Sequence, residues 1–399
     1  MQTDAADDDD GVIASPNDPD VFDPDAEMER AYALLLEEHA QADMCQLSES
    51  PWDLPQTMQE RGVLAHVLAD LLEDLETNGA PRPQKSQIWN AARQLNNLQR
   101  LVELLCNSRG ELFRVDVEMW GYVVRCYRPL GHRLRIVLAT TDRRLKEVFP
   151  LCELEPHVEA FLGCFSDLLG ERLIDQYTTY AAAQAMAVQL NRGVACLRAR
   201  VASPEFVRTL SSLKRSVSKN KQRMRAFIDE LFAKHSKLLV VRIDLTYRNA
   251  GQIGTEDGAI REVEQAQKDR DEFFRAAKRL AIWDNVVGHV WKLEYGLHRG
   301  PHLHVLVVFD GQKARQDGSL ARTLGNLWIR VTQERGDFYN CNANKARYGD
   351  ALGIGMVERG DAIRRARLQV AARYLAEVDL VRRLKLPQAY RALAIVPKA

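Results

Sequence analysis

Two apolar stretches separated by a short Gly-Pro break constrain this chain more than anything else in it. The stretch reads Glu294-Tyr295-Gly296-Leu297-His298-Arg299-Gly300-Pro301-His302-Leu303-His304, followed by Val305-Leu306-Val307-Val308-Phe309. β-Branched residues on both sides of a turn specify paired strands, here residues 286–295 and 302–309, with 297–300 between them. Side chains alternate faces along a strand, so His302 and His304 project from the same face. Glu294 ends the preceding strand and comes across from them. Two imidazoles and one carboxylate make a divalent-metal site that leaves positions open for other ligands. Mixed nitrogen and oxygen ligation suits magnesium or manganese in the cell and would also accept zinc or cobalt. His298, in the turn, is an alternative third ligand, a DNA contact or a residue without a role. A polar–apolar–polar alternation is common in half-buried strands, and the nearby glutamate is what makes this one specific.

The surrounding pattern supplies the rest of a domain. Residues 238–247 read as a strand, 259–280 as a charged amphipathic helix, 320–332 as a helix and 352–357 as a strand. Residues 362–386 read as a final basic helix stopped by Pro387. The order β-α-β-β-α-β-α predicts an α+β class, an antiparallel sheet with helices on one face in a split βαβ arrangement. Tyr374 lies in the final helix. A phenol has an ordinary pKa of about 10 and needs an electrophile activated by metal to attack phosphorus. Tyr339, Tyr348 and Tyr390 compete with it on composition.

Upstream the texture differs. Residues 1–26 form an acidic tail with Asp7, Asp8, Asp9 and Asp10 in one run. It reads as a disordered solvating segment, or as an acidic arm competing for a basic face. Residues 27–202 predict a mainly helical accessory domain, with apolar residues at helical spacing over 31–36, 63–72, 86–105 and 181–200. Residues 121–127 and 134–138 read as strands, with a helix as the alternative for the first. His39, His66, His132 and His157 read as structural or surface groups. Ser203-Pro204 marks a break, and residues 203–236 read as a basic helical linker leading to the domain at 237–399. Lys214, Arg215, Lys219, Lys221 and Arg223 on that linker form either a solvated face or a track for phosphates.

Whole-chain properties narrow the class. The formal net charge is +0, but the acidic tail hides a basic remainder suited to a polyanion. The seven cysteines are scattered with no CxxC pair, which argues against a disulfide scaffold and fits a reducing cytoplasm. No apolar run approaches a membrane span, and no signal-peptide pattern opens the chain. No GxxxxGK[ST] phosphate loop provides a motor.

Three segments together resemble the HUH (His–hydrophobic–His) endonucleases of rolling-circle replication: residues 239–247, Glu294 with His302-Leu303-His304, and Tyr374 in a late helix. More closely, residues 238–386 resemble the gene-2-type replication initiators of filamentous phages (inoviruses). The matching pieces are residues 242–247, Glu294-Tyr295-Gly296, residues 300–304, Trp328, Asn340-Cys341-Asn342, Gly353-Ile354-Gly355, Tyr374-Leu375 and Asp379. The resemblance implies an HUH/RRM-like sheet and a nickase acting on single-stranded or supercoiled origin DNA. It implies metal on Glu294, His302 and His304, Tyr374 as nucleophile, a 5′-phosphotyrosine link with a free 3′-OH, and later rejoining. A host helicase is the expected partner, with no membrane and no small-molecule substrate. One departure is Glu377, where many relatives carry a lysine three residues after the tyrosine. Arg367, Arg373 or Lys385 could compensate, and Arg367 and Arg373 join the expected DNA-binding set. Alternatively, Glu377 is metal-proximal or pairs with an arginine. Other readings are a non-catalytic DNA-binding regulator, an HUH transposase or relaxase, and a metal-dependent hydrolase unconnected with DNA.

Overall fold

Residues 101–107 are helical and lead into a small antiparallel sheet built from β1 (Phe113–Glu118), β2 (Gly121–Cys126) and, after a gap in sequence, β4 (Gln176–Tyr177). Between them lie α1 (Pro129–Thr140), β3 (Cys152–Leu154) and α2 (Pro156–Cys164), and α3 (Tyr180–Val201) follows. The computed structural model describes residues 94–95, 98–99, 101–126, 129–149, 151–171, 173–248, 255–296, 299–345, 352–385 and 391–398. The acidic tail, the patterns at 31–36 and 63–72, His39, His66, His298, Tyr348, Tyr390 and Pro387 lie outside the described residues.

The accessory region differs from expectation at α1 and in its strands β1, β3 and β4. Residues 134–138, read as a strand, lie within α1, where Leu134, Val137 and Leu138 are buried. Their spacing of three and four is a helical face, which a five-residue apolar window does not distinguish from a strand. β1 was not foreseen; it pairs with β2 from Phe113↔Cys126 to Glu118↔Gly121. The expected helix at 181–200 is α3.

Ser203 and Pro204 open α4 (Pro204–Lys234). The Ser203 hydroxyl accepts the Phe206 N–H, and proline occupies the first turn, where it forfeits no helical hydrogen bond. The second half of α4 buries Met224, Phe227, Ile228, Leu231 and Phe232, a stripe at helical spacing. Its first half buries only Phe206 and Val217 and presents Lys214, Arg215 and Lys219 to solvent.

The C-terminal elements are β5 (Lys237–Tyr247), α5 (Glu256–Ala277), β6 (Val286–Gly296), β7 (Gly300–Asp310), α6 (Asp317–Val331), β8 (Gly336–Asn340), β9 (Gly355–Glu358), α7 (Ala362–Glu377), β10 (Arg382–Leu384) and β11 (Leu393–Pro397). The main sheet runs β11-β6-β7-β5-β8, with β9 beside the other end of β5, and every pairing is antiparallel. The α+β class expected from the element order is what the chain adopts. The helices, however, cover both faces. Leu239, Val241, Ile243, Leu245, Leu303, Val305 and Val307 pack with residues of α5 and α6. Leu238, Val240, Leu306 and Val308, on the other face, pack in the core that includes the α4 stripe and α7. Strands apolar on both faces need cover on both, and α4 supplies part of it. Gly288 marks the contact: a Cβ there would meet the Phe227 ring at 2.6 Å.

The final helix also stops short of the expected position. α7 ends at Glu377, a 3-10 turn covers Val378–Leu380, and β10 follows. β10 pairs with β3, matching Arg382↔Leu154, Arg383↔Glu153 and Leu384↔Cys152. That long-range pairing overrides a local sequence compatible with more helix.

Residues quoted for the resemblance hold the sheet together. Between the parts of β5 paired with β8 and β9, Asn342 plugs the edge, accepting the Arg242 N–H at 2.8 Å and donating to the Val240 carbonyl at 2.9 Å. Buried Trp328 donates its indole N–H to the Thr246 carbonyl at 2.8 Å. Gly353 lies so close to α7 that a Cβ would meet the Arg367 carbonyl at 2.5 Å.

Candidate metal centre and its surroundings

Strand pairing brings the predicted ligands together. Glu294 on β6 is in register with His302 on β7, and His304 is flanked by Lys292 on β6 and Asp244 on β5. Directly opposed residues share a face, so all five side chains lie on one side of the sheet. Glu294, His302 and His304 are buried, and their ligand atoms lie within 4.8 Å of one another. This group could hold a metal ion.

Each ligand is oriented by a second group. His304 Nδ1 lies 2.7 Å from Asp244 Oδ1. Burial alone would push the Asp244 carboxyl up, but His304 and Arg242 beside it outweigh that and lower its pKa to about 2. An ionised carboxylate only accepts, so His304 Nδ1 donates and Nε2 is the nitrogen that faces the other ligands. His302 Nδ1 lies 3.1 Å from the Gly300 carbonyl, which likewise only accepts. Gly300 adopts φ +64, a conformation that favours glycine. Burial, with Arg299 and His304 nearby, holds the His302 pKa well below 6.5, so the ring is neutral and able to ligate. On Glu294, Oε2 accepts from Arg382 at 2.9 Å. Its Oε1 is buried, accepts no hydrogen bond and lies 3.9 Å from His304 Nε2. A buried bare carboxylate oxygen aimed at an imidazole nitrogen fits a cation ligand set.

The rest of the lining was not among the expected ligands. Lys292, 1% exposed, pairs with Asp379 beyond α7. Its signal is a charge two residues before Glu294, on the same face of a central strand. Asp244 sits on the histidine face, as its register against Ile243 and Leu245 implies. Arg382 has no local signal. Cys152, on β3, lies among these charges, and burial pushes its thiol up to about 11.

Tyr374 is on α7, 3% exposed, in the core that contains Leu238, Val240, Leu306 and Val308 of the histidine face. Tyr339 of β8 is in register with Asp244 and therefore points to that face too, half-buried. Glu377 is not among the clustered metal ligands. It pairs with Lys221 of α4 at 2.7 Å and with Arg373 at 3.1 Å. The arginine pairing anticipated as one alternative is therefore present, and Lys221 and Arg373 are engaged with a carboxylate. Arg367 is half-buried, whereas Lys214, Arg215, Lys219 and Arg223 are exposed. Val207, Arg208, Ser211, Lys214 and Arg215 line a shallow depression on α4. Of the isolated histidines, His157 bonds to the helix-capping Glu155 at 2.6 Å and His132 is exposed.

Among the described residues no helix is long and apolar enough to cross a membrane. No curated protein and no solved structure matches the chain. Residues 205–382, which run from α4 to Arg382 and include Glu294, His302, His304 and Tyr374, match the family described as the YagK/YfjJ C-terminal domain.

Proposed function

We propose that this chain is a cytoplasmic, metal-dependent nickase of single-stranded DNA with a tyrosine nucleophile, acting as a rolling-circle replication initiator. The observation that carries this reading is the buried Glu294–His302–His304 group, each member aligned by a second residue, on the sheet face whose core also contains Tyr374. Magnesium or manganese held there would supply Lewis acidity to a phosphate oxygen. Tyr374 Oη forms the bond to phosphorus while the bond to O3′ breaks. The 3′-OH leaves with a proton, and the 5′ phosphate stays on the tyrosine. Rejoining is the same exchange in reverse. The buried cations Lys292 and Arg382, paired with Asp379 and Glu294, line the centre. Exposed Lys214, Arg215, Lys219 and Arg223 offer contacts to the DNA backbone, whose affinity then falls steeply with salt. Lacking a phosphate-loop motif, the chain relies on a host helicase.

The test is incubation of the full chain with manganese and a pool of random-sequence single-stranded oligonucleotides, followed by denaturing electrophoresis. A covalent adduct is expected, absent in Tyr374→Phe, His302→Ala and His304→Ala and retained in Tyr339→Phe. Loss in Tyr339→Phe with retention in Tyr374→Phe would move the nucleophile to β8. A second reading, a non-catalytic DNA-binding regulator, is favoured by the burial of Tyr374, which leaves little room for a nucleotide at its hydroxyl. Binding without adduct in the wild type selects it.

A further inference from the structure

We infer that Arg382 is a positioning residue for the metal centre and that the accessory region holds it in place through β3. The inference rests on the metal-centre reading above. Arg382 Nη2 donates to Glu294 Oε2 at 2.9 Å, and both side chains are buried. A charge-assisted bond of this kind fixes a carboxylate's rotation. With Oε2 tied to the guanidinium, Oε1 is left facing the imidazole of His304, 3.9 Å from its Nε2. Arg382 thus does for Glu294 what Asp244 does for His304 and the Gly300 carbonyl does for His302.

What places Arg382 is not its own domain. It opens β10, which pairs with β3. The ribbon is closed at its ends by the Glu155 N–H on the Val381 carbonyl at 3.1 Å and the Lys385 N–H on the Leu151 carbonyl at 2.7 Å. Phe149, from the segment leading into β3, sets its ring 5.9 Å from the guanidinium. Cys152 of β3 lies within electrostatic reach of Arg382, Glu294, Lys292 and Asp379. Phe149 and Cys152 therefore adjoin the centre, although they precede α4 and lie outside the family match at 205–382. The accessory region sets the orientation of one metal ligand.

An opposite role for the same contact is a guanidinium that competes with the metal for Glu294. The two make opposite predictions. Manganese binding to the full chain is measured by calorimetric titration for the wild type, Arg382→Gln, Arg382→Lys and Phe149→Leu. The visible spectrum of bound cobalt reports ligand geometry, and melting in chelator reports folding. Arg382→Gln is expected to weaken manganese affinity about 10- to 100-fold, with Arg382→Lys recovering part of the loss. Phe149→Leu should weaken binding in the same direction by a smaller factor, and the cobalt spectrum should change in both Arg382→Gln and Phe149→Leu. Unchanged or tighter binding by Arg382→Gln, with an unchanged cobalt spectrum, overturns the inference while leaving the metal centre standing. A wild type that binds neither ion removes the metal centre itself. Should Arg382→Gln fail to fold, Arg382→Lys and Phe149→Leu decide, and wild-type affinity in both overturns the inference.

Discussion

Asp244 Oδ1 and His304 Nδ1 sit 2.7 Å apart across the β5–β7 pair, although 60 residues separate them in the chain. The bond occupies Nδ1 and turns Nε2 toward Glu294, so a metal would be met by Nε2. Asp244→Ala is therefore expected to lower manganese affinity by about 10- to 100-fold. Asp244→Asn should lose less, because its amide oxygen still accepts from Nδ1. Titration calorimetry distinguishes them, and wild-type affinity in Asp244→Ala would mean that His304 does not ligate through Nε2.

Glu377 changes meaning once its neighbours are seen. From the resemblance alone, Glu377→Lys would introduce the lysine of the HUH endonucleases and leave cleavage equal or faster if their geometry held. In the fold, Glu377 is buried between Lys221 and Arg373, and a lysine there would meet two cations. Breaking a buried pair costs about 3–5 kcal/mol, so Glu377→Lys should lower the urea midpoint sharply and Glu377→Gln less. An unchanged midpoint for Glu377→Lys would show that the pairings contribute nothing.

His289 provides a pH test away from the metal ligands. It is buried on the α5 face, its ring stacked 4.5 Å from Phe274, and burial, with Lys278 nearby, lowers its pKa from 6.5 to about 4. The unfolded chain then binds more protons than the folded one between those values. Stability is complete above pH 6.5 and declines as pH falls toward 4, by about 3 kcal/mol from this residue. His302, also held neutral, acts in the same direction. Urea denaturation at pH 7 and pH 5 should show the decline, and His289→Leu should make it shallower. Equal slopes in the two proteins would mean that His289 titrates alike in the folded and unfolded chains.

Removing residues 1–236 should not leave a working domain. The deletion takes away Met224, Phe227, Ile228, Leu231 and Phe232, which share a core with Leu238, Val240, Leu306 and Val308. Burial of each such side chain stabilises by about 1.5–3 kcal/mol, against a total stability of about 5–15 kcal/mol for a domain. It also takes away β3 and Lys221. The fragment is expected to lack a cooperative thermal transition by circular dichroism, whereas a chain starting at residue 94 should keep one. A sharp transition in the shorter fragment would show that α4 is dispensable.

The β6–β7 hairpin, the placing of His302 and His304 on one face and the nearness of Glu294 were legible in the sequence because strand alternation and hairpin pairing are short-range. The start of α4 at Ser203-Pro204 was legible for the same reason, since capping acts within one turn. A five-residue apolar window was not enough to tell α1 from a strand, because both hide apolar residues at short spacing. The pairing of Asp244 with His304, the placement of Arg382 and Phe149, the partners of Glu377 and the covering of both sheet faces were decided only by tertiary structure. Each depends on contacts between segments far apart in the chain, and the free energy of a buried charge is set by what lies across from it in space.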